Sequence, residues 1–463
     1  MQKLFDEVTS LDARCYENFH LSEDVLMEHA AEGMARYIKN NFSKDTKIII
    51  AVGSGNNGAD GIALGRLLFQ SYDVSLLFVK EPKSKMALLQ AKRAKSIGVP
   101  SITSLRECDV IVDAIVGSGF SGEFNPQLRA ILNTLNAATA FKIACDIPSG
   151  LQADGVCTNA AFVADITLTM GALKKSLFLD EAKDFTGKIE VLDLGISRKI
   201  YETKTSWHLL DNEDLKLPHR STQNTHKGSF GHLCILSGEK IGASVFAAQA
   251  ALRLGAGLVT LITHEKPIIP FEIMYANSLP KNSSAIALGM GLGESFSNDE
   301  LKQYLNHDLP LIIDADIFYM PIVLELLKRS EIVLTPHPKE FVALLKLTKL
   351  ADISVEELQK KRFHYAEIFS QAYPNAVLLL KGANVIIAYN GTFFINPHGS
   401  SKLAKGGSGD VLAGLIGSLL AQGYSTLNAA INGSLAHTKL AQNYTLSDFS
   451  LTPNDLIEGI GKL

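Results

Sequence analysis

The chain of 463 residues has one tryptophan, Trp207, and only five cysteines. The cysteines stand at Cys15, Cys108, Cys145, Cys157 and Cys234, and none forms a CxxC pair. An odd, unpaired set excludes a disulfide framework and a zinc cluster and implies a reducing compartment. Cys108, Cys145 and Cys234 lie in apolar runs and read as small core residues. A basic excess is also missing: 44 Lys and Arg face 48 Asp and Glu, a net charge of −4. No RNA- or DNA-binding fingerprint appears, so nucleic acid is excluded as a partner. The N-terminus, MQKLFDEVTSLDAR, carries acids where a signal peptide needs an apolar core. The most apolar long stretch, 241–263, contains Gln249, Arg253 and several glycines. It reads as a buried helix followed by a strand, not as a membrane span. A cytoplasmic protein without a membrane partner is expected.

What is present is an alternation of strand and helix in two different halves. In the first, strands are expected at 47–52, 73–79, 109–116, 141–146 and 164–170, with VLDLGIS (191–197) closing the pattern. Helices are expected near 23–40, 60–71, 84–97 and 125–137. Such alternation implies a parallel sheet with helices on both faces. In the second half, strands are expected at 232–237, 258–263, 285–289, 309–316, 331–336, 376–381, 384–389 and 392–396. The last three read as a meander, with a tight turn at Asn390-Gly391. Helices are expected at 242–254, 298–306, 320–329, 354–372, 409–421 and 427–443. Length alone asks for more than one core. The polar stretch TKTSWHLLDNEDLKLPHRSTQNTHKGSFG places the junction near 206, giving domains 1–205 and 206–463.

Two glycine loops of the first half follow strands and match GxGxxG. One runs Gly53-Ser-Gly55-Asn56-Asn57-Gly58-Ala59-Asp60-Gly61. The other runs Gly117-Ser118-Gly119-Phe120-Ser121-Gly122, then Glu123. At the carboxyl ends of parallel strands, such loops let backbone N–H groups approach a phosphate-bearing ligand. Plain strand–helix turns would look similar, but Asn56, Asn57 and Asp60 offer more hydrogen-bonding capacity than a turn requires. Asp113 and Asp146 each end a strand. With Asn57 and Ser149 they form an oxygen-rich set suited to acid–base work or a hard cation, although either Asp alone would serve equally as a cap. A plain NAD dehydrogenase would want an acid at the end of the second strand; Glu81, between Lys80 and Pro82, fits poorly.

The second half has no GxxxxGK[ST], so it is not a P-loop enzyme. Its strongest motif is Leu403-Ala-Lys-Gly406-Gly407-Ser408-Gly409-Asp410, opening an apolar helix. Such a loop makes an anion hole for a transferred phosphoryl group, and Asp410 in the first helical turn is placed to accept a proton. His337 sits in a Pro-stiffened turn, TPHPKE. Lys381-Gly382-Ala383-Asn384-Val385 is a strand-end turn that could hold a nucleotide or be an ordinary hairpin. Gly289-Met-Gly291-Leu-Gly293 is a further glycine loop.

These blocks resemble known families. GSGNNGADG, VDAIVGSGFSGE, CDIPSGLQADG and ADITLTMGALK are similar to the NAD(P)H-hydrate epimerases. HKGSFGHLCILSG, LGMGLGE, LIIDAD, TPHPKEF, LLLKGANVII and LAKGGSGDVLAGLIG are similar to the ADP- or ATP-dependent NAD(P)H-hydrate dehydratases. The order of the halves resembles the bifunctional repair enzymes. The resemblance implies a Rossmann-like α/β/α sandwich followed by a ribokinase-like α/β domain. It implies that Asn56 to Asp60, Gly117 to Glu123 and Asp146 bind the hydrate, and that Asn57, Asp113 and Ser149 hold potassium (K⁺). Asp146 is expected to assist proton movement, and Lys174 is given no role. In the second half it implies that Ala243, Gly291, His337 and Asp410 contact the S-hydrate, that Lys381 to Val385 and Gly406 to Gly409 hold the nucleotide, and that Asp410 is the base. NADH and NADPH hydrates, ADP with AMP as product, Mg²⁺ and a homo-oligomer complete the implied set. The alternative is a ribokinase-like small-molecule kinase fused to a Rossmann-like domain, which has no need of the CDIPSG and GNNGADG blocks. Three residues depart from the family pattern. Ala59 stands for glycine and is harmless unless its φ is positive. Met290 stands for a proline whose absence would loosen the turn, and Lys339 stands for glycine.

Overall fold

The computed structural model describes residues 1–306 and 308–463. The chain forms two compact units, one of Lys3–Thr205 and one of Ser206–Leu463 together with Met1–Gln2.

The first unit is built on a seven-stranded, wholly parallel sheet. In spatial order its strands begin at Ser101, Asp73, Lys47, Val110, Phe141, Ile166 and Lys188. The central strand, Lys47–Val52, is β-branched and buried on both sides, as a strand covered by helices must be. Its residues divide by the two-residue pleat. Ile48, Ile50 and Val52 join the core that contains Leu26, Met34 and Ile62, while Ile49 and Ala51 join the core that contains Leu128 and Leu132. Helices Glu23–Asn41 and Asn56–Leu68 therefore cover one face and Pro126–Ala137 the other. The second helix starts at Asn56, four residues before the expected start, because the glycine loop is itself its first turn. Helix Thr9–Asn18 was not expected from the sequence. Only Leu11 and Cys15 of it are buried, so its apolar periodicity is weak.

Among the described residues the second unit carries ten strands. They begin, in spatial order, at Met274, Leu258, His232, Ala285, Leu311, Ile332, Ala376, Val385, Thr392 and Trp207. Pairing is parallel except for the Ala376–Leu380, Val385–Tyr389, Thr392–Asn396 meander. Its turn uses Asn390 and Gly391, both with positive φ, as a twisted two-residue hairpin demands. Helices Ile241–Arg253, Ser408–Ala421 and Thr426–Asn443 supply much of the core. Three expectations need correction. The helix expected at 354–372 is two, Val355–Lys360 and Arg362–Ala372, broken at the non-helical Lys361. That at 320–329 shrinks to Val323–Leu326. The TPHP turn opens a helix, Pro338–Leu347, in which the second proline takes the first helical position, where its missing N–H costs nothing.

Two candidate active sites

In the first unit the glycine loop is shaped by backbone crowding. A Cβ on Gly53 would stand 1.8 Å from the Ile115 carbonyl oxygen, and one on Gly58 2.1 Å from that of Gly53. Those glycines press the two strand-end loops together. Ala59 is helical and buried and has no positive φ, so its methyl is accommodated. Between the loops lies a cavity of about 450 Å³, lined by Asn56, Asn57, Asp60, Gly117, Ser118, Gly119, Phe120 and Asp146. The expected residues Gly58 and Ala59 lie buried behind it, and Ser121, Gly122 and Glu123 are not part of its lining.

Asp146 follows the strand Phe141–Cys145 and has φ of +69°, a left-handed conformation that Asp tolerates better than most residues. Its Oδ1 accepts from Lys174 Nζ at 2.5 Å, Met170 N at 3.0 Å and Thr169 Oγ1 at 3.3 Å. Lys174 is buried, and Thr169 Oγ1 is its other close side-chain acceptor at 3.0 Å. Sequence reasoning gave Lys174 no role. Its signal was a lysine in an apolar run, where an unpaired cation could not remain. Also absent from the sequence-based set were Asp12, on Thr9–Asn18, and Tyr201, both lining the cavity. Tyr201 Oη donates to Asp12 Oδ1 at 2.8 Å. Burial raises the pKa of Asp12, and burial with neighbouring Asp146 and Asp12 pushes Asp60 well above the usual carboxylate range.

Asp113, Ser149 and Asn57 are brought together at one edge of this site. Asp113 is fully buried; its Oδ1 accepts from Ser149 Oγ at 2.6 Å and its Oδ2 from Ser149 N at 2.7 Å. Burial pushes its pKa up to about 6 against the pull of those bonds. Ser149 Oγ also lies 3.2 Å from the Val116 carbonyl oxygen, and the buried Asn57 Nδ2 has no hydrogen-bond partner. A carboxylate, a hydroxyl and a carbonyl are oxygen donors that suit a hard monovalent cation, and Asn57 can add its amide oxygen but not its Nδ2, so these residues fit K⁺.

In the second unit, Gly406–Gly409 leads into Ser408–Ala421. Gly407 has φ of +90°, and a Cβ there would meet Pro453 Cγ at 2.6 Å. A Cβ on Gly409 would stand 3.3 Å from Lys381 Nζ, so the loop sits against the ion pair of Lys381 Nζ with Asp314 Oδ1, 2.6 Å. Asp314, of LIIDAD, is buried. Burial, reinforced by Asp314, raises the pKa of Asp410 to about 6. Ser408 Oγ contacts the buried His437 Nε2 at 3.1 Å, and burial holds that imidazole neutral. The Lys381–Val385 turn rests on Arg362, whose Nη2 donates to the carbonyls of Leu380, Lys381 and Asn384. Gly291 and Ala243 meet: a Cβ at Gly291 would lie 3.1 Å from Ala243 Cβ. The turn at Met290 is not loosened, since Met290 is buried and its carbonyl accepts from Ser244 Oγ at 3.1 Å. His337 caps its helix: Nδ1 accepts from the N–H groups of Lys339 and Glu340, and Nε2 lies 3.1 Å from Glu340 Oε1. Its ring is thus held from both sides, and Lys339 contributes only backbone and stays exposed.

The fold and the two sites define a two-unit α/β enzyme: one unit has a carboxylate-lined cavity, the other a glycine-loop anion hole beside a carboxylate. Residues 233–462 match the family model for NAD(P)H-hydrate dehydratase, and residues 23–176 match that for the YjeF-related protein N-terminus. The chain is 45% identical over 474 residues to the bifunctional NAD(P)H-hydrate repair enzyme Nnr of Helicobacter pylori, covering 100% of each. It is 31% identical over 449 residues to that of Coxiella burnetii, covering 91% of this chain and 90% of the other. The solved ADP/ATP-dependent NAD(P)H-hydrate dehydratase from Bacillus subtilis, co-crystallised with ATP/Mg²⁺, is 28% identical, covers 55% of this chain and 96% of that one, and gives a TM-score of 0.47. The chain belongs to the bifunctional NAD(P)H-hydrate repair enzyme family.

Proposed function

We propose that the first unit interconverts the R and S hydrates of NADH and NADPH and that the second dehydrates the S form with ADP, giving AMP and phosphate. The observation that carries this reading is the coexistence of the two sites in a chain related over its full length to bifunctional repair enzymes.

In the first unit the cavity takes the hydrated nicotinamide, with Asn56 to Asp60 and Gly117 to Phe120 around it. Asp146, fixed through Oδ1, keeps Oδ2 for the substrate and moves the proton of the added hydroxyl. K⁺, when bound by Asn57, Asp113 and Ser149, would supply positive charge beside the glycine loops.

In the second unit the difficulty is the leaving group, since hydroxide leaves poorly. Asp410 accepts the proton of the substrate hydroxyl as its oxygen takes the terminal phosphoryl group of ADP, and AMP leaves. The N–H groups of Gly406 to Gly409 and Lys381 hold the phosphates while charge develops. Phosphate then departs with the C–O bonding pair, the adjacent carbon loses a proton, and the dihydronicotinamide double bond returns. Mg²⁺ would be held on the phosphate oxygens, hard donors that it prefers, and would neutralise phosphate charge, leaving Asp410 free to act as the base. Lys381 to Val385 hold the nucleotide, and Gly291, Ala243 and His337 the hydrate. Among the described residues no helix is long and apolar enough to cross a membrane.

The test is an R/S mixture of NADH hydrate with Mg²⁺, K⁺ and either nucleotide, followed by NADH absorbance and phosphate release. Complete recovery with ADP is expected. No recovery with either nucleotide would overturn the reading in favour of a small-molecule kinase.

A further inference from the structure

We infer that Asp12 is a second acid–base residue of the epimerisation, sharing the cavity with Asp146. The inference rests on the epimerase reading of that cavity. Inversion at the hydroxyl-bearing carbon breaks one of its polar bonds and re-forms it on the other face, and the route through an iminium ion is the one followed here. A proton must therefore be given at one place and taken at another. Asp146 alone is poorly suited to both: three donors fix its Oδ1, leaving only Oδ2 on a carboxylate that cannot turn.

The cavity offers two further carboxyls, Asp60 and Asp12. Burial, with Asp146, Asp12 and Glu23 nearby, raises the pKa of Asp60 well above the usual carboxylate range against the pull of Lys174, so it is the poorer proton donor. Asp12 is built differently. Helix Thr9–Asn18 presents it to the cavity, Tyr201 donates to its Oδ1 at 2.8 Å, and among the described residues no hydrogen bond engages its Oδ2. Both acids thus have one anchored oxygen and one left for substrate. The groups around Asp12 pull in both directions: burial, Asp146 and Glu7 favour its neutral form, Tyr201 and Lys174 its anion. The net effect raises the pKa of Asp12, which favours the protonated form that can donate. Lys174, by contrast, pairs directly with Asp146. The two carboxyls are therefore anchored by different partners, Asp146 by an ammonium and Asp12 by a phenol.

The balanced step runs as follows. The Asp12 carboxyl gives its proton to the substrate hydroxyl, the C–O bond breaks, and water leaves with the bonding pair. The ring nitrogen's lone pair forms the C=N bond of an iminium ion, whose charge the carboxylates face. Water adds to the other face, its surplus proton passes to Asp146, and the C=N pair returns to nitrogen. Proton exchange with solvent resets both acids.

The experiment uses the full chain and separated R- and S-hydrate, without nucleotide, with chromatographic readout of epimerisation. Asp12→Asn is expected to lower kcat by about 100-fold or more, the usual scale of acid–base catalysis, with KM changed less than about threefold. A wild-type unfolding transition of the first unit, followed by circular dichroism, reports that the variant is folded. Tyr201→Phe removes a donor to the Asp12 anion, so the high-pH limb of the epimerisation profile should move to higher pH, a shift that loss of packing alone would not produce. Wild-type kcat in Asp12→Asn with an inactive Asp146→Asn would overturn the role of Asp12 alone. Wild-type kcat in both variants would overturn the epimerase reading of the cavity itself.

Discussion

The two sites use buried lysines in opposite ways. In the first unit Lys174 is buried against Asp146, and Asp12 and Asp60 line the same cavity, a surplus of acidic groups. In the second unit Lys381 pairs with Asp314 but stands against Gly409, where backbone N–H groups of the glycine loop add further positive potential. One surplus suits a cationic ring and mobile protons; the other suits phosphates. The difference teaches that a glycine loop after a strand is not one device. Both open a helix, but in the first unit the glycines pack two loops closely together, and in the second they stand beside a cation.

The contrast can be broken by substitution. The largest effect is expected from Asp410→Asn, which should cut dehydration of S-hydrate by about 1000-fold and leave epimerisation at its wild-type rate, read by assaying each activity separately. Next, Asp146→Asn should lower epimerisation by about 100-fold and spare dehydration. The pH profile sharpens the comparison further. Asp410 must be ionised to act as base, so the kcat/KM of dehydration should rise with pH through about 6 and level off above it. Asp314→Asn removes the neighbouring negative charge that raises the pKa of Asp410, so the same limb should move to lower pH. A smaller effect is expected from Arg362→Lys. A single ammonium cannot reproduce a guanidinium that serves three carbonyls, so the KM for ADP should rise by several-fold with less change in kcat. Last, Gly58→Ala forces a methyl onto the Gly53 carbonyl and should cost about 1–3 kcal/mol in denaturant unfolding.

Much of this was legible in the sequence, for physical reasons. Strands such as KIIIAV and AVLLL are continuous apolar runs because both sheet faces are covered, and their observed bounds, 47–52 and 376–380, are close to those expected. The Asn390-Gly391 hairpin was legible because few residue pairs accept two positive φ values. The glycine loops and Asp146, Asp113 and Ser149 came from motif and strand-end position. What escaped came from tertiary pairing. Lys174 meets Asp146 across 28 residues, and Tyr201 meets Asp12 across 189, so no local pattern reports either. Tyr201 also lay at the edge of a stretch that looked like linker. His337 escaped in another way: its turn was visible, but not that the imidazole would cap the helix that follows.

The most direct test of two separate activities in one chain is complementation on an R/S mixture of NADH hydrate with ADP. Asp146→Asn alone should stop at the S fraction, Asp410→Asn alone should return no NADH, and the two variants mixed should recover all of it. Full and rapid recovery by Asp146→Asn alone, or recovery by Asp410→Asn alone, would contradict the account.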